Sequence, residues 1–345
     1  MHKSSKNVSI ESIKIGSILP LSGDFAIIGE EIKRGADIAV AELAEEGIHV
    51  EYVSEDDQFT AAKDVSAANK LVQIDKVDGV FTAVGEEALP TVQVFNENKV
   101  PLLVTWDSNA DLKKAGPYIF SIGFNSEANA EKMAEYAYVT LKLRKLGIVT
   151  NIDQVADVLA GSFDNKFKSL GGSISSIDRL QPTETNYRTV ASKLKSGDAE
   201  GVYMALIPPN NQFMMIQARQ LGFSGQLLGV DSVQHDEIVQ AGAAAEGLLF
   251  TSIHTDHDAA LKDRYAALYK REPINITHVS FGYDAVLAFI EAKKIADEKD
   301  ISLRDSLAQL STDKTTTPIN MGGNQYSERV EKIFKVSQGK SVLAE

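Results

Sequence analysis

The chain alternates short apolar runs rich in β-branched residues with segments of helical period, and few folds accept that order. Ile13–Leu19 reads as a strand and ends in the turn residues Pro20-Leu21-Ser22-Gly23-Asp24. From Gly29, apolar Ile32, Ala36, Ala39, Val40 and Leu43 recur at helical spacing until Gly47. Val50–Val53 is the next strand, closed by the acidic turn Ser54-Glu55-Asp56-Asp57-Gln58, and Ala61–Val72 the next helix. Val80–Val84 follows as a strand that Gly85-Glu86-Glu87 breaks, and Leu89–Asn98 carries Leu89, Val92 and Phe95 on one helical face. A further strand through Leu103, Val104 and Thr105 ends at Trp106-Asp107-Ser108-Asn109. Such βα alternation predicts an α/β fold with a doubly wound parallel sheet.

After Tyr118–Ile122 the alternation starts afresh. Helix Glu127–Lys142 is followed by strand Leu146–Thr150, helix Asp157–Leu170, strand Ile174–Arg179, helix Tyr187–Lys195 and strand Gly201–Ile207. Helix Gln212–Leu221 and strands Gln226–Val230 and Leu248–Ser252 complete a second set. Ala259–Lys270 and Val279–Ala296 then read as helices, Thr312–Thr317 as a loop, and Val330–Val336 with Ser341–Leu343 as a hairpin around Gln338-Gly339. At 345 residues the chain is long enough for two cores. The late helices and the terminal hairpin imply that it passes between two α/β lobes more than once, and the cleft between hinged lobes is the expected ligand site.

The net charge of −13 argues against nucleic acid, whose affinity rests on clustered Lys and Arg. No apolar run reaches the ~20 residues of a membrane span. Without cysteine there is no disulfide, thiolate metal site, lipid-bearing cysteine or cysteine nucleophile. The start, MHKSSKNVSIES, lacks the apolar core of an export signal. It reads either as a cytosolic start or as a mature form with the signal removed. Gly161, Gly171 and Gly172 do not form a phosphate-binding loop, and no nucleophile elbow is present. The histidines show no HExxH spacing. His254-Thr255-Asp256-His257 has the look of a metal pair but falls where a crossover strand is expected. No cofactor, no metal and no enzymatic chemistry are expected.

Several stretches in order carry a resemblance: IGSILPLSGDFAIIGEEIKRGADIAVAELA, VSEDDQFTAAKDVSAANKLV, the segment Val77–Leu112, YIFSIGFNSEANAEKMAEY, GVYMALIPPNNQFMMIQARQLGF and GVDSVQHDEIVQAGAAAEGLLFTS. Together they resemble the type I periplasmic binding proteins of the leucine/isoleucine/valine-binding group, the solute receptors of ABC importers. The likeness runs from Ile13 to Ala296 and is weaker beyond. It implies two doubly wound parallel-sheet lobes joined by three hinge crossovers. The first lobe takes residues 8–122 and 254–318, the second 126–251 and 326–345, with crossovers near 122–126, 251–256 and 318–326. It also implies a monomeric receptor, periplasmic or extracellular, that closes on a small solute and is recognised by an ABC permease.

In amino-acid-binding members, a hydroxyl and backbone N–H groups of the first lobe hold the α-carboxylate, and a carboxylate and aromatic residues of the second hold the ammonium. Position by position, the resemblance puts the first-lobe contacts on Gly85, Trp106 and Ser108 and the ammonium-binding carboxylate on Asp231. The sequence departs from the pattern at several of these places. Gly85 stands where a serine is usual, Trp106 where a small residue is usual, Val155 and Ile207 where tyrosines are usual, and Ile28 at an aromatic position.

The residues themselves leave alternatives open. Asp231 reads as a ligand carboxylate or as the N-cap of the segment Ser232–Ala241. Trp106 reads as a pocket lid or as a cap on the strand end. Ser108 and Gly85 read as ligand contacts or as turn residues. Glu86 and Glu87 suit a helix N-terminus and make that end less welcoming to an anion. Asp56 and Asp57 read as turn structure. The expected ligand is an amino-acid-like or amphipathic amine, with aromatic or keto acids and amides open. A sensor of the same fold without a transport partner is the alternative role.

Overall fold

The computed structural model describes residues 12–107, 111–230, 232–233, 235–252, 258–327 and 331–344. The first stretch runs β1 (Ile13–Leu19), α1 (Ala26–Glu45), β2 (Val50–Asp56), α2 (Ala61–Asn69), β3 (Gly79–Thr82), α3 (Gly85–Ala88), α4 (Val92–Asn98), β4 (Leu102–Val104) and β5 (Ile119–Ser121). The middle runs α5 (Ser126–Glu135), β6 (Lys145–Asn151), α6 (Gln154–Ser169), β7 (Ser173–Leu180), α7 (Arg188–Ser196), β8 (Gly201–Ala205), α8 (Asn210–Gln220), β9 (Gln226–Gly229), α9 (His235–Ala241) and β10 (Leu249–Ser252). A return follows through α10 (Asp258–Tyr269), α11 (Ile276–Lys299), α12 (Leu303–Ala308), β11 (Ser311–Thr312) and β12 (Ile319–Asn320). The chain ends in the antiparallel hairpin β13 (Lys332–Ser337) and β14 (Lys340–Leu343).

These elements form two compact units, 1–124 with 255–329 and 125–254 with 330–345, so the chain passes between them three times. The first unit holds a five-stranded sheet of order β2-β1-β3-β4-β5, every pair parallel. Its strands β3, β4 and β5 are buried throughout and read as largely apolar runs rather than alternating ones, whereas the edge strand β2 is mixed. The second unit holds a seven-stranded sheet of order β14-β13-β10-β9-β8-β6-β7, parallel from β10 to β7. The terminal hairpin extends it on the β10 side through an antiparallel pairing. Both sheets are doubly wound, as the alternation requires.

The first unit is closed by the return segment. Helix α11 is buried along most of its length and packs on α1. Glycines permit the approach: a Cβ added at Gly35 would lie 1.8 Å from the Val279 carbonyl oxygen, and one at Gly282 would lie 1.9 Å from that of Ile32. Only a residue without a side chain fits at either place.

The structure departs from the sequence reading in four places. The segment expected to cross over at 318–326 is held on the first unit, where Gln325 donates to the Gly116 and Ile119 carbonyls and Tyr326 bridges to Ser121. Thr312–Thr317, read as a loop, begins in the two-stranded pairing of β11 with β12. Its Thr315 and Thr316 are buried, because Asp284 of α11 accepts from both the N–H and the hydroxyl of Thr316 at 2.7 Å. The expected helices to Val72 and Lys142 give way to π-helical turns at Lys70–Asp75 and Tyr136–Thr140. Apolar spacing alone does not separate i→i+4 from i→i+5 bonding. Finally, Gly85-Glu86-Glu87 does not break the chain into a loop but begins α3.

Candidate ligand-binding half-sites

In an open α/β sheet the crevice lies at the carboxyl ends of the strands, where the strand order reverses. The first sheet reverses between β1 and β3, and the second between β6 and β8. The first reversal brings together the loop after β1, which leads into α1 and its first-turn residue Ile28, and the start of α3 at Gly85. The second brings together Ile152–Val155 and Ile207. Four candidates from the sequence, Ile28, Gly85, Val155 and Ile207, therefore lie beside these two reversals, each on its own unit, and Trp106 follows β4, the neighbour of β3. Ser108 and Asp231 lie outside the described residues.

In the first unit the loop after β1 is tied to the end of β2. Asp56 accepts from Leu21 N (2.9 Å), Ser22 N (3.2 Å), the Ser22 hydroxyl (2.5 Å) and Gln58 N (3.1 Å). Burial works against the charged form of Asp56, but these bonds, led by Ser22, outweigh it and hold the carboxyl below its ordinary range. Phe25 and Phe59 pack as a tilted pair with ring centroids 4.5 Å apart, joining the same two loops. Ile28 is half-buried beside them.

At the end of β3 the Glu87 side chain folds back onto the strand. Its Oε2 accepts from the Thr82 hydroxyl (2.5 Å), Ala83 N (3.1 Å) and Val84 N (3.3 Å). Gly85 N donates to Asp107 Oδ1 at 2.6 Å, so the backbone donor offered by the sequence reading has an internal partner. Burial pushes the Glu87 carboxyl up to about 8, with the nearby Asp57 charge adding to the shift. Asp57 and Asp64, also buried, lie in the same group.

Trp106, directly beyond the end of β4, is half-buried. Its backbone N–H donates to the Ala83 carbonyl (2.9 Å), and its side chain lies with ring centroids 4.9 Å from His278 and 5.4 Å from Phe281. Both partners come from α11. Burial pushes the His278 imidazole down to about 4, so it is neutral near pH 7. The i,i+3 spacing of His278 and Phe281 puts them on one helical face, but nothing in the sequence says which residue that face meets.

In the second unit Asp153 caps α6, accepting from Val155 N (3.0 Å) and Ala156 N (3.1 Å). Ile152, Val155 and Val158 are left 46%, 43% and 38% exposed, a hydrophobic stripe without a cover on its own unit. Ile152, Asp153, Asp157 and Val158 line an open concavity of about 550 Å³, and Asp157 pairs with Arg179. Ile207 is 36% exposed. Its N–H is held by the fully buried Asn151, whose Oδ1 accepts at 2.7 Å. The sequence reading passed over Asn151, an amide in the last position of a strand buried from Leu146 onward.

Among the described residues no group of three or more His, Asp or Glu is placed to hold a metal ion, and no helix is long and apolar enough to cross a membrane. The pair His254 and His257 lies outside the described residues.

Known proteins share this architecture. The Leu/Ile/Val-binding protein homolog 3 of Brucella melitensis is 28% identical over 96% of this chain and 93% of its own length. The substrate-binding protein LivJ of Streptococcus pneumoniae, solved with isoleucine, superposes with a TM-score of 0.82 at 22% identity, covering 96% of this chain and 98% of that one. A solute-binding protein of an ABC transporter from R. palustris, solved with benzoate, gives a TM-score of 0.78 at 20% identity, covering 97% and 96%. These two structures speak for the fold. The pattern of the periplasmic binding protein family matches residues 12–330 of this sequence, and the chain belongs to that family.

Proposed function

We propose that this chain is the extracytoplasmic receptor of an ABC importer, a monomer that captures one small organic solute and presents it to a membrane permease. The observation that carries the reading is the family match over residues 12–330. Support comes from the placement of exposed apolar side chains at the strand-order reversal of the second unit. Each unit contributes a half-site: Ile28, Gly85, Trp106 and Ser108 from the first, Val155, Ile207 and Asp231 from the second. Binding draws the units together because the closed form holds the solute better than the open one. The relatives' ligands define the chemical neighbourhood, since one is named for leucine, isoleucine and valine and another was solved with benzoate. The reading asks nothing of acid–base or nucleophilic chemistry, and the solute leaves unchanged.

A thermal-shift screen of amino acids, their amides, amines and aromatic acids tests this, because a ligand that binds only the folded state raises its stability by mass action. The expected result is a shift that grows with concentration, with a smaller radius of gyration by small-angle scattering. Conversion of the bound solute to product would overturn the receptor reading.

A further inference from the structure

The chain passes between its two units three times, and in the second unit the ends of those passages meet in one buried cluster. Asn129 lies early in α5, just after the first passage. Thr251 lies in β10, just before the second, and Glu331 immediately precedes β13, just after the third. Asn129 Oδ1 accepts from the Thr251 hydroxyl at 2.5 Å, and Asn129 Nδ2 donates to Glu331 Oε1 at 2.6 Å. Lys132, one turn further along α5, donates to the Glu331 carbonyl, also at 2.6 Å. The two partners of the Asn129 amide are 122 and 202 residues away in sequence. Asn129, Thr251 and Glu331 are all buried.

The residue type is what makes the join. An amide offers an acceptor and a donor on one short side chain, so it can link a hydroxyl to a carboxylate, and no apolar residue can. Each buried group needs its partner, and loss of the Asn129 amide would strand both. The sheet already brings the second and third passages together, since β10 pairs with β13 and Thr251 stands opposite Ile333. The first passage enters a helix outside the sheet, and Asn129 ties it to the other two. In the first unit two of the passages also start side by side. Ser121 N donates to the Gln325 carbonyl and Ser327 N to the Ser121 carbonyl, each at 2.9 Å.

Hinges are a few residues at the ends of elements that absorb backbone rotation. Three such segments whose second-unit ends are fixed to one another cannot rotate independently. On the reading that the units close on a solute, we propose that Asn129 makes the three passages a single hinge. It ties their second-unit ends into one base, so that closure is one motion rather than three local ones. Asn129 acts through the chain, as a positioning residue for the hinge.

Two measurements on the full chain without solute test this. In hydrogen exchange, Asn129→Leu keeps the side-chain volume and removes both bonds. Residues 125–130, 249–252 and 331–334 are expected to exchange together about tenfold faster, while β6 and β8 inside the same sheet keep their protection. Faster exchange confined to 125–130, spread evenly over the second unit, or absent altogether overturns the shared base. The chain has no cysteine, so Ala62→Cys in the first unit and Ser169→Cys in the second, both exposed, can carry a pair of spin labels. The distribution of distances between the labels is expected to broaden when Asn129→Leu is added, and an unchanged distribution overturns the hinge role. Should Asn129→Leu fail to fold, Thr251→Val decides by exchange. Acceleration that reaches 125–130 supports the shared base, and a change confined to 249–252 overturns it. Neither measurement uses a solute, so failure here leaves the receptor reading standing, and failure of the receptor reading shows instead in the solute screen.

Discussion

Glu31 accepts a hydrogen bond of 2.6 Å from the hydroxyl of Tyr265, 234 residues further along the chain. The Glu31 side chain is fully buried and serves as a hub: Arg34 donates at 2.8 Å, Arg271 at 2.5 Å and Ile274 N at 3.1 Å. One carboxylate therefore fastens α1 to α10 and to the segment entering α11, which is how the late return segment is locked to the sheet begun by β1. Removing one partner of a buried ion pair leaves the others uncompensated. Glu31→Ala is expected to cost about 3 kcal/mol, the low end of the usual range because Arg34 and Arg271 stay partly open to water. Urea denaturation measures this. A loss below about 1 kcal/mol would show that the hub is dispensable.

Trp106 offers a spectroscopic readout, since it is the only tryptophan. His278 lies 4.9 Å from it and is held neutral by burial, its pKa pushed down to about 4 and only partly restored by Glu31. A protonated imidazole quenches indole emission, so acid titration is expected to dim the fluorescence near pH 4 rather than near 6.5. A group whose folded pKa is lowered contributes stability above its unfolded value and loses it on the way down. His278 is therefore expected to destabilise the protein as pH falls from about 6.5 towards 4. His278→Phe should remove both the quenching step and that slope. Quenching centred at pH 6.5 would mean the imidazole is open to water.

The group Asp57, Asp64 and Glu87 has the opposite sign. Asp57 Oδ2 and Asp64 Oδ1 are buried and meet no donor among the described residues, so a proton shared by the two carboxyls is the expected arrangement. Burial, then the charge of Asp57, pushes Asp64 up to about 8, and burial, then Asp57, does the same to Glu87. Asp57 is itself raised by burial against the opposing bond from Phe59 N, with Asp56 the remaining facing charge. Carboxyls raised in this way favour folding while protonated, so their contribution is lost as pH rises from about 4 through 8. Asp64→Asn is expected to flatten this alkaline loss and to gain about 1 kcal/mol at pH 8. Melting temperatures across pH 5 to 8 measure it, and parallel curves for variant and wild type would refute the shared proton.

The fold was largely legible because the inner parallel strands are short, buried and mostly apolar runs, and the longer helices announce themselves by their period. Ile13–Leu19 was readable to the residue. The candidate half-sites were readable only as positions. Gly85 and Trp106 follow their strands in sequence, so topology places both at the sheet's carboxyl edge. What each one touches depends on partners far along the chain: Asp107 for Gly85, His278 and Phe281 for Trp106. Such pairings leave no periodic trace. Glu87 shows the same limit, for a glutamate at a helix start looks solvated until the backbone is seen to fold over it.

Asn151 gives the second unit a corresponding test. Its Oδ1 accepts from Ile207 N at 2.7 Å, while its Nδ2 reaches the Leu180 and Gln181 carbonyls, each at 3.4 Å. One buried amide thus holds the loops that follow β6, β7 and β8 in register. Asn151→Asp preserves the acceptor for Ile207; Asn151→Leu leaves that N–H without it, a loss of about 1–3 kcal/mol for a buried donor. If Ile207 lines the second half-site, part of that cost falls on the bound state. Asn151→Leu is then expected to weaken solute binding about tenfold, and Asn151→Asp to restore most of it. Calorimetry with a solute from the screen separates this from simple destabilisation, because a purely structural Asn151 would lower the melting temperature of the leucine variant while its affinity at 10 °C stayed that of the wild type.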